Sequence, residues 1–421
     1  PEFIDASTIT AVGNPVTIKK DTIEYNASSF RVGENDMLED LLKKMPGMEV
    51  GEDGSVSVNG EKVDKITVGG KTFFFDDPTM AVKNLPAKIV DKIKVIDKDT
   101  EEAEISGIKT HDTKEKVMDV ALKEEYKKGW FGNAKMGGGY TVNPETDNEL
   151  IDSKGPLFNV NALMSAYGEK DQLTVIANGQ NAVDPTASGA AVIVYGMDMD
   201  EFDSKQGLST NATAGVNYNT DRIKGLPSTV SVSYKYSGKD AKEKTARTSF
   251  MSGSDDLHTN GFFDGTGDGH TLSASVEMKN ANKEKFYFSF KPKFTFNTKQ
   301  NSFTNASHTT MNADTLNSSV STKFNEGRSA GTSGQLDMGI MKLGGKEGRN
   351  LSLYAYYNFD NGDGVSGENS STLLGDSTAV VSLLYDKKSS SSYLHSNISY
   401  VEPLGEKWVL QVGTRGSWSS S

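Results

Sequence analysis

The chain has 421 residues, with 45 Lys and Arg against 57 Asp and Glu, a formal net charge of -12 and no Cys. Its mean hydropathy is -0.51, and its longest apolar stretch, Ala190 to Tyr195, falls far short of the roughly 20 residues a membrane helix needs. These values exclude a helical membrane protein, a disulfide scaffold, a Cys-ligated metal site and a thiol nucleophile, and they argue against general nucleic-acid binding, which a basic face would mark.

The chain opens at Pro1 with no Met, basic segment or apolar h-region, so a signal peptide is expected to have been cleaved or to lie upstream. Residues 1–20 read as a flexible N-terminal segment. Residues 21–125 read as a small, charged α+β domain. Asp36 stands as N-cap to a helix carrying Met37, Leu38, Leu41, Leu42 and Met45, which Pro46-Gly47 stops because Pro lacks the donor and Gly accepts a left-handed cap. Val56 to Val58 is a short strand running into an Asn59-Gly60 turn, a strong hairpin signal. Ile66, Val68 and Phe73 to Phe75 add a further strand around Gly69-Gly70. Leu85-Pro86 is expected to start a second helix through Ile89 and Val90, and Ile93, Val95 and Ile96 to form one more strand.

Over residues 126–421 the period becomes two. Phe286, Phe288, Phe290, Phe294 and Phe296 share one face while Tyr287, Ser289, Lys291, Lys293 and Thr295 take the other. Val230, Val232, Tyr234 and Tyr236 repeat the scheme, as do Leu272 to Met278 and Leu351 to Phe359. Pro292 is awkward for a central strand. Tight connections such as Gly168-Glu169-Lys170 alternate with long ones, near 179–206, 238–268, 297–330 and 360–390, which read as Ser/Asn/Asp-rich loops. Short turns at one end and long loops at the other mark an outer-membrane barrel, whose signal lies in alternation rather than in apolar runs. A soluble sandwich or solenoid alternates too. Two features favour the barrel: strands of about nine residues or more, and aromatics near strand ends (Trp130, Phe131, Tyr140, Tyr167, Tyr218, Tyr400, Trp408, Trp418), where an interfacial girdle would place them.

The α+β segment resembles the plug of TonB-dependent outer-membrane receptors of Gram-negative bacteria. The resemblance rests on the order and spacing of Asp21 to Ala27, Leu38 to Val50 with its Met45-Pro46-Gly47, Val58-Asn59-Gly60, Ile66 to Phe74 and Leu85 to Asp97, with Lys127 to Asn133 leading into the first barrel strand. Gly69 stands where many relatives carry Asp. The resemblance implies a transmembrane antiparallel β-barrel with an N-terminal α+β plug domain inside it. It also implies a receptor or transporter importing a ligand, energised by TonB with ExbB and ExbD, set in outer-membrane lipid, and open to a surface lipoprotein or another outer-membrane subunit as partner. The family barrel has 22 strands, whereas about 295 residues at roughly 20 to 25 per strand and loop make about 12 to 14. The C-terminal part of the barrel is therefore expected to be missing from this chain, and the alternative is a small barrel with the plug outside it.

Thr8-Ile9-Thr10-Ala11-Val12 resembles the TonB box, a mobile strand that would add to a sheet edge of the coupling protein; the same residues also suit a β-prone loose terminus. Phe73, Phe74, Phe75, Asp76 and Asp77 fall where the resemblance puts the plug apex, facing a ligand, and two or more of these Phe residues suit the core equally. Asp198, Asp200, Glu201 and Asp203 cluster in one long loop, with Asp264, Asp268, Asp360 and Asp363 in others, but none fits a calcium-loop pattern. His111, His258, His270, His308 and His395 have no ligand spacing, and no catalytic or dinucleotide motif occurs, so no enzyme, cofactor or metal is expected. Three functions remain: a TonB-dependent transporter, a non-transporting subunit of a larger outer-membrane complex, and a surface adhesin.

Overall fold

A computed structural model describes residues 14–19, 21–34, 36–51, 54–74, 78–100, 103, 114–141, 155–182, 208–250, 256–280, 285–311, 314–405 and 408–421. The N-terminal part of the fold is built from short elements: β1 (Val16–Lys19), β2 (Thr22–Asn26), α1 (Leu38–Leu42), β3 (Met48–Val50), β4 (Val56–Val58), β5 (Glu61–Lys62), β6 (Lys65–Val68), β7 (Lys71–Thr72), α2 (Pro78–Asn84), β8 (Val90–Asp99) and β9 (Lys114–Leu122). They form a six-stranded sheet in the order β1-β2-β8-β9-β6-β7 and a three-stranded sheet β3-β4-β5. Both hairpin turns need left-handed backbone at successive positions. Asn59 and Gly60 have φ of 52° and 82°, and Gly69 and Gly70 have 59° and 74°, the geometry that matches the twist of paired strands. Asp119 on β9 secures the second turn, its Oδ1 accepting from the Gly70 N–H at 2.7 Å and from Thr67 Oγ1 at 2.8 Å.

Two expectations for this part are corrected. The cap residue of α1 is Met37; Asp36 instead accepts from the Gly33 N–H at 2.8 Å and closes the preceding turn, while Asp40 accepts from the Met37 N–H at 2.9 Å. Leu85-Pro86 starts no α-helix. The second helix, α2, lies before it, and Ala87–Ile89 is a single 3-10 turn leading into β8, as Pro86 holds an extended backbone that ends one element and sets up the next.

The rest of the described chain is one antiparallel meander of eleven strands: β10 (Gly129–Thr141), β11 (Gly155–Tyr167), β12 (Asp171–Ala182), β13 (Leu208–Thr220), β14 (Ser228–Ser249), β15 (Leu257–Lys279), β16 (Phe286–Met311), β17 (Asp314–Ile340), β18 (Asn350–Leu374), β19 (Ser377–Pro403) and β20 (Val409–Ser420). Each strand pairs with its sequence neighbours, and β10 and β20 are not paired with each other, so the described sheet is open. Among the described residues eleven strands stand beside the 12 to 14 expected, and several hairpins are far longer than a membrane crossing. The 26 residues of β16 extend about 86 Å, whereas about 9 to 11 residues cross a bilayer. The segments read as long loops at 238–268, 297–330 and 360–390 are accordingly strand over 238–249, 257–268, 297–311, 314–330, 360–374 and 377–390, with 375–376 as the turn in the last. Their Ser, Thr and Asn pair across the ladder, as Thr304 does with Thr322 and Ser307 with Ser319. Among the described residues apolar burial there forms one small cluster, Ala241, Phe263 and Phe303, too sparse for an alternation to announce the strand. The segment 179–206 falls mostly outside the described residues.

Pro292 sits inside β16 after all. The ladder to β17 includes Pro292 opposite Gly334, but on the other side the β15 ladder stops at Ser275 opposite Lys293 and resumes at Met278 opposite Phe290. The missing donor is thus tolerated by a local break with no change of register.

The two faces of the meander are inverted relative to a soluble sheet. Successive rows across β13 to β18 run Val216, Val232, Ala274, Phe294, Thr332, Phe359, and Ala214, Tyr234, Leu272, Phe296, Ala330. These rows lie on the outer face, where Phe294 is 55% and Leu272 48% exposed. The alternate residues bury polar groups: Ser165, Thr174, Asn217, Ser231 and Ser289 are all 2% exposed or less. Trp130, Tyr140, Trp408 and Trp418 stand on the outside as expected, but Phe131 and Tyr167 point inward, stacked at 5.6 Å within the core. That core is continuous: Leu38, Leu41, Ile66, Phe74, Leu85 and Ile93 of the α+β unit join Leu163 and Ile176 of the meander.

Candidate functional site

The place where the two parts meet is the seam between the β6–β7 edge, α2 and the inner face of the meander. Lys71 Nζ reaches Asp221 Oδ2 at 2.9 Å, beside the short turn after β13. Thr72 Oγ1 donates to Glu277 Oε2 at 2.8 Å. Glu277 is also held by Lys279 and Lys291, both at 3.5 Å, so a nearly buried carboxylate is surrounded by two cations and a hydroxyl. Asn178 Nδ2 donates to Asn84 Oδ1 at 2.6 Å. Between these polar links Phe74 inserts its ring against Gly215 and Ile176; a Cβ built on Gly215 would stand 2.8 Å from that ring. Phe74 has φ of 40°, a region unfavourable to a bulky residue that the surrounding packing must hold in place. Phe73 meets Phe74 edge-on at 4.9 Å.

Phe73 and Phe74 are therefore packing residues, 2% and 0% exposed. Phe75, Asp76 and Asp77, like Thr8, Ile9, Thr10, Ala11 and Val12, lie outside the described residues. So do His111 and the Asp198, Asp200, Glu201 and Asp203 cluster. Asp264, Asp268, Asp360 and Asp363 belong to strands β15 and β18 rather than to loops. Asp268 accepts from Gln300 at 2.8 Å and Asp363 pairs with Arg328 at 2.9 Å. His270 is bonded to Tyr234 Oη at 2.7 Å and rests against Tyr236. Among the described residues no three His, Asp or Glu side chains group as metal ligands. Glu277, Asn84 and Asp221 were not singled out from the sequence, where they read as ordinary polar-face or turn residues. Gly215, a lone Gly within the alternating Ala214-Gly215-Val216, carried a legible mark of close approach.

The chain matches no protein-family model and no curated protein. Solved structures similar to it include the RagAB peptide transporter (10% identity, TM-score 0.42, covering 96% of this chain and 56% of that one). The siderophore receptor PirA from Pseudomonas aeruginosa is similar at 11% identity and a TM-score of 0.27, over 96% of this chain and 91% of that one. The unliganded ferric citrate transporter FecA is similar at 8% and 0.29, over 94% and 62%. The chain spans 56% of the length of the RagAB chain.

Proposed function

We propose that this protein is a TonB-dependent receptor and transporter of the outer membrane, in which residues 21–125 form a plug and residues 126–421 the N-terminal part of a β-barrel. The observation that carries the reading is the inversion of faces: apolar rows point outward while the polar face receives a compact α+β unit with its own core. A sheet that exposes Phe294, Phe296 and Leu272 and buries Ser and Asn is suited to lipid outside and a wet, occupied interior. The order of plug-like motifs in the sequence supports the same reading. In this scheme the ligand arrives from the side of the long hairpins, and TonB, driven by ExbB and ExbD, draws on the N-terminal segment at 8–12 by strand addition. Energy enters mechanically and the chain itself needs no nucleotide.

The test is co-purification of the C-terminal domain of TonB with the full chain and with a chain lacking residues 1–13. Association that disappears on deletion is expected. Association that is absent from both, or unchanged by the deletion, sinks the TonB-box assignment. Loss of a larger outer-membrane complex on deletion of the whole chain, with ligand uptake unaffected, would favour the structural-subunit reading instead.

A further inference from the structure

Aromatic side chains on the outer face meet the apolar belt, but four rings of β18 and β19 stand together on the other side. Across β18 and β19, Tyr354 lies opposite Asn397, Tyr356 opposite His395 and Asn358 opposite Tyr393. The rings form one connected group: Tyr354 and His395 are 6.1 Å apart, Tyr356 and Tyr393 6.1 Å, and Tyr393 and His395 6.5 Å with planes only 2° from parallel. Alternation assigns the group to the inner face. Leu353, Tyr357 and Phe359 continue the outer rows of β17, whereas Tyr356 shares the row of Gln335 and Lys291, the face on which Glu277 meets Thr72. The core beneath the α+β unit draws its wall residues from Phe131, Leu163, Tyr167 and Ile176 on the opposite flank. Tyr393 remains 39% exposed. The group is thus an aromatic shelf on the wet side of the sheet.

We propose that this shelf binds a neutral, polyhydroxylated ring ligand, a saccharide. Aromatic faces carry negative quadrupole charge and attract the polarised C–H face of a pyranose. The amides of Asn358 and Asn397 flank the rings with both donors and acceptors, which suits hydroxyls that act as both. Charge selects against the other cargo classes. Over β17 to β19 the three rows that hold the rings carry one carboxylate, Asp337, 1% exposed and bonded by Gln335, and no Lys or Arg. Lys291 and Lys293 on β16 end the rows of Tyr356 and Asn358, Lys291 being paired with Glu277; Arg415 stands beyond Asn397 on β20, and Asp360 follows Asn358 one row on. These charges stand at the margins of the shelf, on β16, on β20 and one row on, rather than among the rings, where an anionic chelate or a charged peptide would need them.

The assignment deepens the transport reading and rests on it only for the route by which a ligand reaches the shelf. The full chain in detergent micelles is titrated calorimetrically with maltohexaose, cellohexaose, xylohexaose and mannohexaose. At least one is expected to bind saturably. The Y356A/Y393A pair should weaken it about tenfold or more, two ring contacts of ordinary size, while Y356F/Y393F keeps affinity within a few-fold and all variants keep the β-sheet circular dichroism of the parent. No binding by any of the four, binding indifferent to the Ala pair, or equal loss in the Phe pair overturns the shelf. So does a ferric chelate or peptide that binds and is lost in the Ala pair. Saccharide binding without energy-dependent uptake would sink the transporter and leave the shelf; TonB association without saccharide binding would do the reverse.

Discussion

At the scale of single residues the seam is fixed by a fit between one side chain and the absence of another. Phe74 is fully buried, holds a left-handed backbone and occupies the space over Gly215. A side chain added at Gly215 meets that ring at 2.8 Å, Ile176 at 3.3 Å and the Val232 carbonyl at 3.4 Å, so it has no direction of escape. Gly215→Val is expected to cost about 1–3 kcal/mol through overpacking, and Phe74→Ala about 3–5 kcal/mol through the cavity it leaves. Because the two changes act on the same volume, the double variant should be less destabilised than the sum. Denaturant unfolding of the four species measures this cycle, and strict additivity would show that Phe74 and Gly215 do not touch. The polar links beside them work differently. Glu277 is tolerable at its depth because Thr72, Lys279 and Lys291 converge on it, and removing a single partner of such a group is costlier than the pair is worth.

At the scale of elements, the α+β unit is laced by ion pairs whose titration sets its acid limit. Hydrogen bonding from Lys92 holds Glu24 below the usual carboxylate range against some desolvation, with Lys19 assisting. The Gly33 N–H and then Lys44 do the same for Asp36. Burial pulls Glu39 upward, but Lys43 and Lys83 outweigh it and the net shift is down. A carboxylate with a lowered folded pKa contributes its stability above the unfolded value of about 4 and loses it as pH falls through the folded value. Lys116 shifts the other way: burial lowers it, Asp97 and Glu61 outweigh that, and its contribution persists until strongly alkaline pH. Hydrogen-exchange protection of β2 and α1, corrected for intrinsic rates, is therefore expected to stay level from about pH 8 to about pH 5 and to fall below about pH 4. A loss between pH 5 and pH 8 would contradict these pairings. The same elements show what a sequence can and cannot disclose. The Asn59-Gly60 and Gly69-Gly70 hairpins were legible because two adjacent turn residues suffice to specify them. β9 was not, since Lys65 to Val68 pair with Val117 to Val120 across some fifty intervening residues in parallel, and nothing local records such a partner. The polar reach of β16 and β17 has the composition of a loop, because Ser302, Thr304 and Ser307 become strand through their neighbours' ladder rather than through burial. In the seam, Glu277 looked like any alternating polar residue, its meaning supplied by Thr72, 205 positions away.

At the scale of the whole molecule the governing fact is which way the apolar face points. In a soluble sheet Phe294 and Phe296 would be core and Lys293 and Thr295 surface; here the α+β unit packs against the polar side and leaves the phenylalanines outside. Two neighbouring substitutions separate a lipid-facing belt from a soluble sheet awaiting a protein partner. Phe294→Lys places a charge in the middle of an apolar row flanked by Ala274 and Thr332. In a bilayer that change should cost about 2–4 kcal/mol near the midplane. Thr295→Lys, one residue along, turns the same charge toward the wet interior, where Lys291 and Lys293 already stand, and should cost well under that. Folding each variant from urea into phospholipid vesicles, with the folded fraction read from heat-modifiable gel mobility, gives the comparison directly. Loss confined to Phe294→Lys in lipid, with both variants equally folded in a detergent that tolerates charge, is the expected result. Equal behaviour of the two in lipid would mean that the outer face does not meet hydrocarbon. A preferential loss in Thr295→Lys would mean that the sheet is the other way round, with its Phe rows turned to a partner rather than to the membrane.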